Sequence, residues 1–372
     1  VITPGSQTPV LDIRHLAGRA SPGRSTAPVR RTRTATVLFG LLVLLLGTVV
    51  VSTSVGAEQL AVGQVWDVLL ARLGGGVSPD LTYDTIVWNL RVPRSLLAVV
   101  VGAGLAVAGA AIQTLVRNPL ADPYLLGVSS GAGVGATAVI TSGLFAGAGI
   151  WALSAGALAG ALGAATLVFL IAVAQGGLTP LRLVLTGTVL GSAFSAVASY
   201  LVFRSADPAA AESVLFWLLG SLAGADWDRL VLPGTVVLLL CALLLAGSGW
   251  LDALAVGPDT AAALGVPVRA VRNALFIALA VLVGVLVAVS GGIGFVGLVI
   301  PHIARLLVGA RHRAMLPVAA LTGALFLLAV DMAARVLVRP VEVPLSVVTG
   351  LIGAPVFLLL LGRRRYRFGS AG

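Results

Sequence analysis

The chain is predicted to be an all-α polytopic membrane protein with about ten transmembrane helices. Three observations lead there. Hydrophobic residues make up 58% of the 372 residues, charged residues only 10%, and the mean hydropathy is +1.07; water-soluble chains carry about 25% charged residues. Apolar runs of about 17–25 residues, enough to cross a bilayer, recur along the chain. The arginines between those runs alternate in density, as a chain threaded through a membrane in one orientation requires.

Residues 1–34 are rich in Pro, Ser, Thr, Gly and Arg and lack apolar periodicity, so they read as a disordered basic cytoplasmic tail. They do not read as a cleavable signal peptide, because the apolar run that follows is long and has no clear cleavage site. The spans are expected at Ala35–Ser54, Ser95–Leu115, Tyr124–Phe145, Ile150–Ala174 and Leu181–Phe203, then at Leu230–Ala246, Asn273–Val289, Gly291–Val308, Met315–Leu337 and Pro344–Leu361. The permease domain so defined runs over 35–366, with a short tail at 367–372.

With the N-terminus inside and ten crossings, the inner segments hold 17 of the 24 basic residues: six in the tail, then Arg117, Arg182, Arg269, Arg272, Arg305, Arg311, Arg313, Arg363, Arg364, Arg365 and Arg367. The outer segments hold the other seven against nine acids. One helix more or fewer would invert half of this bias. Both termini are therefore expected in the cytoplasm.

Composition also excludes functions. All 24 basic residues are arginine, and a P-loop ATPase needs the lysine of its phosphate-binding motif, so this chain is not a conventional ATP motor. The lone Cys241 allows no intrachain disulfide. His15, His302 and His312 are scattered, without the spacing of a metal site. No metal, cofactor or catalytic residue is expected in this chain.

Residues 251–273, between the sixth and seventh runs, are too broken and polar to cross a bilayer. Asp259 can cap a short helix over Thr260–Leu264 through its side chain. Gly265 suits the left-handed stop, and Pro267 the first turn of a second helix. Two short helices meeting at a bend would form a compact knob, either a plain connector or a grip for another protein.

The fifth span differs from the rest in carrying Thr186, Thr188, Ser192, Ser195 and Ser199 at mixed helical spacing. Such hydroxyls serve helix–helix hydrogen bonds or line a path. Gly102, Gly104 and Gly109 in the second span, and Gly131, Gly133 and Gly135 in the third, read as faces for close helix packing.

Four further stretches stand out in order: Asn89–Arg94 (NLRVPR); Val116–Pro123 (VRNPLADP), running on to Leu126–Gly131 (LGVSSG); Phe216–Ser221 (FWLLGS), ending at Asp226–Trp227; and Gly294–Arg305 (GFVGLVIPHIAR). With Leu264–Arg269 (LGVPVR) and Gly353–Phe357 (GAPVF), they resemble the signature blocks of FecCD-type permeases, membrane subunits of ABC importers for iron chelates, haem and cobalamin. The resemblance covers 35–365.

It implies a type II ABC importer permease architecture in a bacterial cytoplasmic membrane. Two permease copies, identical or paralogous, would flank the substrate path. Two cytoplasmic ATPases, carrying ATP and magnesium, would bind below, and an extracytoplasmic binding protein above. The knob would supply the ATPase coupling residues Gly257, Pro258, Asp259, Thr260, Ala263, Leu264, Gly265 and Val266. Arg91, Arg94 and Arg335 would dock the binding protein's carboxylates, which the arginine fork suits; Arg335 also has Asp331 four residues away as an intrahelical partner. Thr186, Ser192, Ser195, Ser199 and Ser221 would line the path, and Gly176, Gly177 and Thr179 the inner gate. Pro180 and Leu181 replace small polar residues of a cobalamin-type member, which turns the expectation toward an iron(III)–siderophore or related iron chelate, with cobalamin or haem as the alternative.

The rival from another class is an ion-coupled secondary transporter. Such proteins keep ionisable relays deep in the bundle, and only Asp331 is offered here.

Overall fold

The computed structural model describes residues 27–56, 60–76 and 80–362. Among them the chain is helical nearly throughout. It runs α1 (Ala27–Ser54), α2 (Val62–Leu73), α3 (Leu81–Asp84), a π-helical stretch (Thr85–Arg91) and α4 (Val92–Leu115). A 3₁₀ turn (Pro123–Leu126), α5 (Val128–Ser142), a second 3₁₀ turn (Ala146–Trp151), α6 (Ala152–Ala174), α7 (Pro180–Phe203) and α8 (Ala210–Leu218) follow. The remainder is α9 (Trp227–Ala246), α10 (Ser248–Val256), α11 (Pro258–Ala263), α12 (Val268–Ser290), α13 (Val296–Val308), α14 (His312–Val336) and α15 (Leu345–Gly362).

Each of the ten predicted runs is occupied by one helix: α1, α4, α5, α6, α7, α9, α12, α13, α14 and α15. Among the described residues seven helical segments are long and apolar enough to cross a membrane, and α13 and α15 are shorter apolar helices. Shortening has local causes. The eighth run loses its first turn because Gly291 (φ 67°) and Phe295 (φ 68°) hold left-handed backbone. The third loses its start to the 3₁₀ turn that Asp122 caps, its side chain accepting from the Tyr124 amide.

The boundary of the tail moves as well. The helix of the first span starts at Ala27, inside the segment read as a disordered tail; Pro28 fits its first turn, where a missing N–H loses no bond. The remaining residues of that tail lie outside the described residues, as does 367–372.

The core is built on α4, which is buried along nearly its whole length and packed by α14, α13, α12 and α9. Small residues allow this. A Cβ on Gly102 would lie 2.3 Å from the Gly323 carbonyl oxygen of α14, and one on Gly109 would lie 2.0 Å from that of Gly297 in α13. Gly135 of α5 stands against Gly156 of α6 in the same way, at 1.9 Å. Gly102, Gly109 and Gly135 are therefore backbone-to-backbone crossings, whereas Gly104 and Gly133 meet side chains of Leu286 and Val237 and of Leu218. By contrast α1, α7 and α9 leave most of their surface uncovered.

Candidate functional site

Four places carry the predicted residues, three of them at one end of the bundle. The knob is present, displaced from its predicted bounds. Its two helices are α10 and α11, joined by Gly257 at φ 154°. Pro258 takes the first helical position of α11, so Gly257, not Asp259, stands at the cap, and Asp259 falls in the exposed first turn, where it complements the helix dipole. Val266 N–H donates to Ala261 O at 3.0 Å and Gly265 N–H to Ala262 O at 2.9 Å. That pair, with Gly265 at φ 79°, closes α11 as a Schellman turn, as the sequence led one to expect. Pro267 sits at the cap of α12, so the helix expected after it is the first turn of the seventh span.

The knob has a small core of its own. Ala253, Leu254, Ala261 and Val271 are buried together, with Val266 and Val268 against them. Gly257 is also buried and Pro258 half-buried, whereas Asp259, Thr260, Ala263 and Gly265 are exposed. Val256 and Leu264 are 67% and 69% exposed. A stiff stub with apolar residues at its tip is suited to entering a cleft in another protein.

A groove of ≈ 560 Å³ is formed by the 3₁₀ turn, the start of α5 and one face of α7; it is lined by Asp122, Tyr124, Ser130, Thr188, Ser192 and Ser195, among others. Gly187 lets α7 approach the turn, since a Cβ there would sit 1.9 Å from Leu125 O. Of the predicted path residues, Ser192 and Ser195 line this groove. Ser199 is exposed further along α7, Thr186 is turned into the bundle, and Ser221 lies in a turn, where its Oγ accepts from Ala223 N–H. Ser192 and Ser199 donate to the carbonyls of Thr188 and Ser195.

Asp122, Tyr124 and Ser130 were not singled out from the sequence as path residues. Burial pushes the Asp122 carboxyl up to about 6, even though its Oδ1 accepts from Tyr124 N–H at 2.9 Å. The Tyr124 hydroxyl donates to Ile293 O at 3.0 Å and accepts from Ile293 N–H at 2.8 Å, pinning the turn to the unwound start of the eighth run.

The predicted gate residues form the turn entering α7. Gly176 and Gly177 have φ of 104° and 114°, and Thr179 takes the cap position before Pro180. Arg182 reaches back to Gly177 O at 3.4 Å.

At the opposite end are the three predicted docking arginines, and they point inward. Arg91 donates to Thr53 O and Ser54 O at 3.0 and 3.1 Å. Arg335 donates to Ser52 O and Val55 O at 3.2 and 2.8 Å and pairs with Asp331 at 2.9 Å. Arg94 reaches Asp331 at 2.9 Å and grips Glu342 with two bonds of 2.7 and 2.9 Å. The physical reason is that α1 ends there with unsatisfied carbonyls, and the fully buried Asp331 needs cations. These three guanidiniums brace this end of the bundle from within.

Comparison with known proteins follows from this geometry. The model of the FecCD transport family matches residues 42–363. The molybdate import system permease of Haemophilus influenzae is 38% identical over 325 residues, covering 87% of this chain and 95% of the relative. The vitamin B12 import system permease of Klebsiella pneumoniae is 39% identical over 341 residues, covering 92% and 98%. Among solved structures, a metal-chelate type ABC transporter in an inward-facing conformation superposes with a TM-score of 0.78 at 36% identity, covering 89% of this chain and all of that one.

Proposed function

The chain belongs to the FecCD transport family, and on that footing we propose that it is the permease subunit of an ATP-driven importer for an iron(III)–siderophore or related iron chelate. The observation that carries this reading is the pairing of an apolar-tipped knob with a polar groove on an uncovered face of α7, at one end of the same bundle. A groove holding Asp122 is not stable against lipid, where ionisable groups are expensive. A second permease subunit facing α7 would cover it and turn the groove into one wall of a path. The knob would seat in an ATPase subunit, ATP being hydrolysed there and not on this chain.

In this reading closure of the ATPases moves α10 and α11, and the bundle alternates its opening between the two sides. Gly176, Gly177 and Thr179 form the inner gate, because a turn of two left-handed glycines can change its backbone at low cost. The binding protein docks on the outer face that Arg91, Arg94 and Arg335 brace, where Glu342 is partly exposed. Cobalamin or haem is the alternative cargo. The molybdate and vitamin B12 permeases are almost equally similar to this chain, so identity reflects the common machine and uptake assays must separate the cargoes. An ion-coupled transporter is disfavoured because Asp331, the carboxylate the sequence offered as a relay, is held between two arginines.

The test is co-purification in mild detergent. The wild-type chain is expected to bring down a P-loop ATPase in stoichiometric amount. Leu264→Asp, which places a charge on the tip and touches nothing in the core, is expected to lose the ATPase while remaining folded. A wild-type chain that purifies alone at full yield would return the secondary-transporter reading to the front.

A further inference from the structure

One polar string at the knob end ties three separate elements together. Thr114 lies in the last turn of α4, His312 opens α14, and Asp252 belongs to α10. His312 Nε2 is 2.8 Å from Thr114 Oγ1. On the other side of the ring, Nδ1 is 2.6 Å from Asp252 Oδ1. The same oxygen accepts the backbone N–H of His312 at 2.9 Å. Asp252 thus caps α14 from another helix, satisfying one of its free amides and placing negative charge at the positive end of its dipole.

The string holds in either arrangement of its protons. Thr114 has one hydroxyl proton and also lies 3.0 Å from Ala110 O. If that proton goes to Ala110, His312 donates from Nε2 and, as the imidazolium, from Nδ1 as well; if it goes to His312, the ring is neutral and donates only from Nδ1. Both keep the bond to Asp252.

What the string attaches is mechanically distinct on its two sides. On one side the knob carries a separate small core and enters the main core chiefly through Leu251. On the other side α4 and α14 are joined at three heights. His312 and Thr114 join them at the knob end, the Gly102–Gly323 crossing joins them midway, and Arg94 and Asp331 join them at the outer end. The 24 residues of α4 span about 36 Å at 1.5 Å per residue. A rigid pair of that length connects the knob to the outer face.

We propose that Asp252, His312 and Thr114 form the joint that carries displacement of the knob into the α4–α14 pair, and through it to the Arg94–Asp331–Arg335 node. None of the three touches cargo or nucleotide in this scheme; they are positioning residues. The proposal rests on the importer reading above. Its signature is a loss of coupling between two measurable events, which a purely structural role would not produce.

The experiment uses the complete transporter, permease with ATPase and binding protein, in proteoliposomes loaded to measure cargo uptake and ATP hydrolysis together. Absence of a bound ATPase in wild type overturns the importer reading itself, and the proposal falls with it. Given an active wild type, His312→Gln is expected to lower cargo moved per ATP by about fivefold or more, within the range of coupling mutants. Thr114→Val, which removes one hydroxyl at nearly constant volume, should do the same and provides the readout if His312→Gln fails to assemble. Spin labels at Thr260→Cys and Val338→Cys, in a Cys241→Ala background, report the knob and the outer face separately. ATP should move both labels when the joint is intact, and only the first when it is broken. An unchanged cargo-to-ATP ratio in an assembled variant, or an outer displacement that survives His312→Gln, overturns the proposal.

Discussion

At the scale of single residues, the outer node shows how buried charge is made tolerable. Asp331 is fully buried between Arg94 and Arg335, and Arg94 has Glu342 as a second carboxylate. Arg335 pairs with Asp331 and otherwise faces the carbonyls at the end of α1 and Ser52. Asp331→Asn should therefore strand a buried cation and destabilise the chain by about 3–5 kcal/mol, whereas replacing a whole pair with apolar residues is often near neutral. Arg335→Met added to Asp331→Asn should recover part of the loss, a non-additivity that a cycle of unfolding measurements in detergent would read. Additive losses would mean that the two groups do not stabilise each other. The Asp331–Arg335 pair was legible because four residues separate its members on one helix. The contacts of Arg94 were not, since they join residues 237 and 248 positions apart and no local pattern encodes them. For the same reason the arginines looked like outward cations in the sequence.

At the scale of elements, close helix crossings decide where a side chain can be added. Gly102→Ala would drive a Cβ to 2.3 Å from the Gly323 carbonyl oxygen, a backbone atom that cannot rotate away. About 1–3 kcal/mol of destabilisation is expected, as for other overpacked cores. Gly163→Ala in α6 meets nothing within 4 Å, so helix propensity should dominate and leave it neutral or stabilised by up to about 1 kcal/mol. Thermal unfolding of the two variants side by side checks the contrast; equal losses would place the crossing elsewhere. Small residues at helix spacing were readable as packing faces before their partners were known. The knob was readable too, but its register followed Pro258, which fits a first helical turn better than Asp259 fits a cap. The groove was half readable: the hydroxyls of α7 stood out as polar in an apolar run, while Asp122 stood out only as part of the VRNPLADP block. Its place in the groove depends on Gly187 admitting α7 to the turn, a contact between distant segments.

At the scale of the whole molecule, orientation in the membrane links the two ends described above. The knob, the groove and the α6–α7 turn share one end, joined through the end of α4 and the 3₁₀ turn after it. In the proposed orientation, the charge bias over ten crossings puts that end in the cytoplasm. Of the groups there, Arg269, Arg311 and Arg313 follow the bias, whereas the opposite end exposes Asp207, Glu212 and Asp228. The assignment can be tested without cargo, partner or nucleotide. In a Cys241→Ala chain, a thiol at Thr260→Cys on the exposed tip should react with a membrane-impermeant maleimide only after the cells are opened. A thiol at Asp207→Cys, between α7 and α8, should react in intact cells. The reverse pattern would turn the molecule over and place the knob outside, where no ATPase could reach it. Labelling of both sites from the same side would mean that α9 does not cross the membrane, and the alternating arginine pattern would then need another cause.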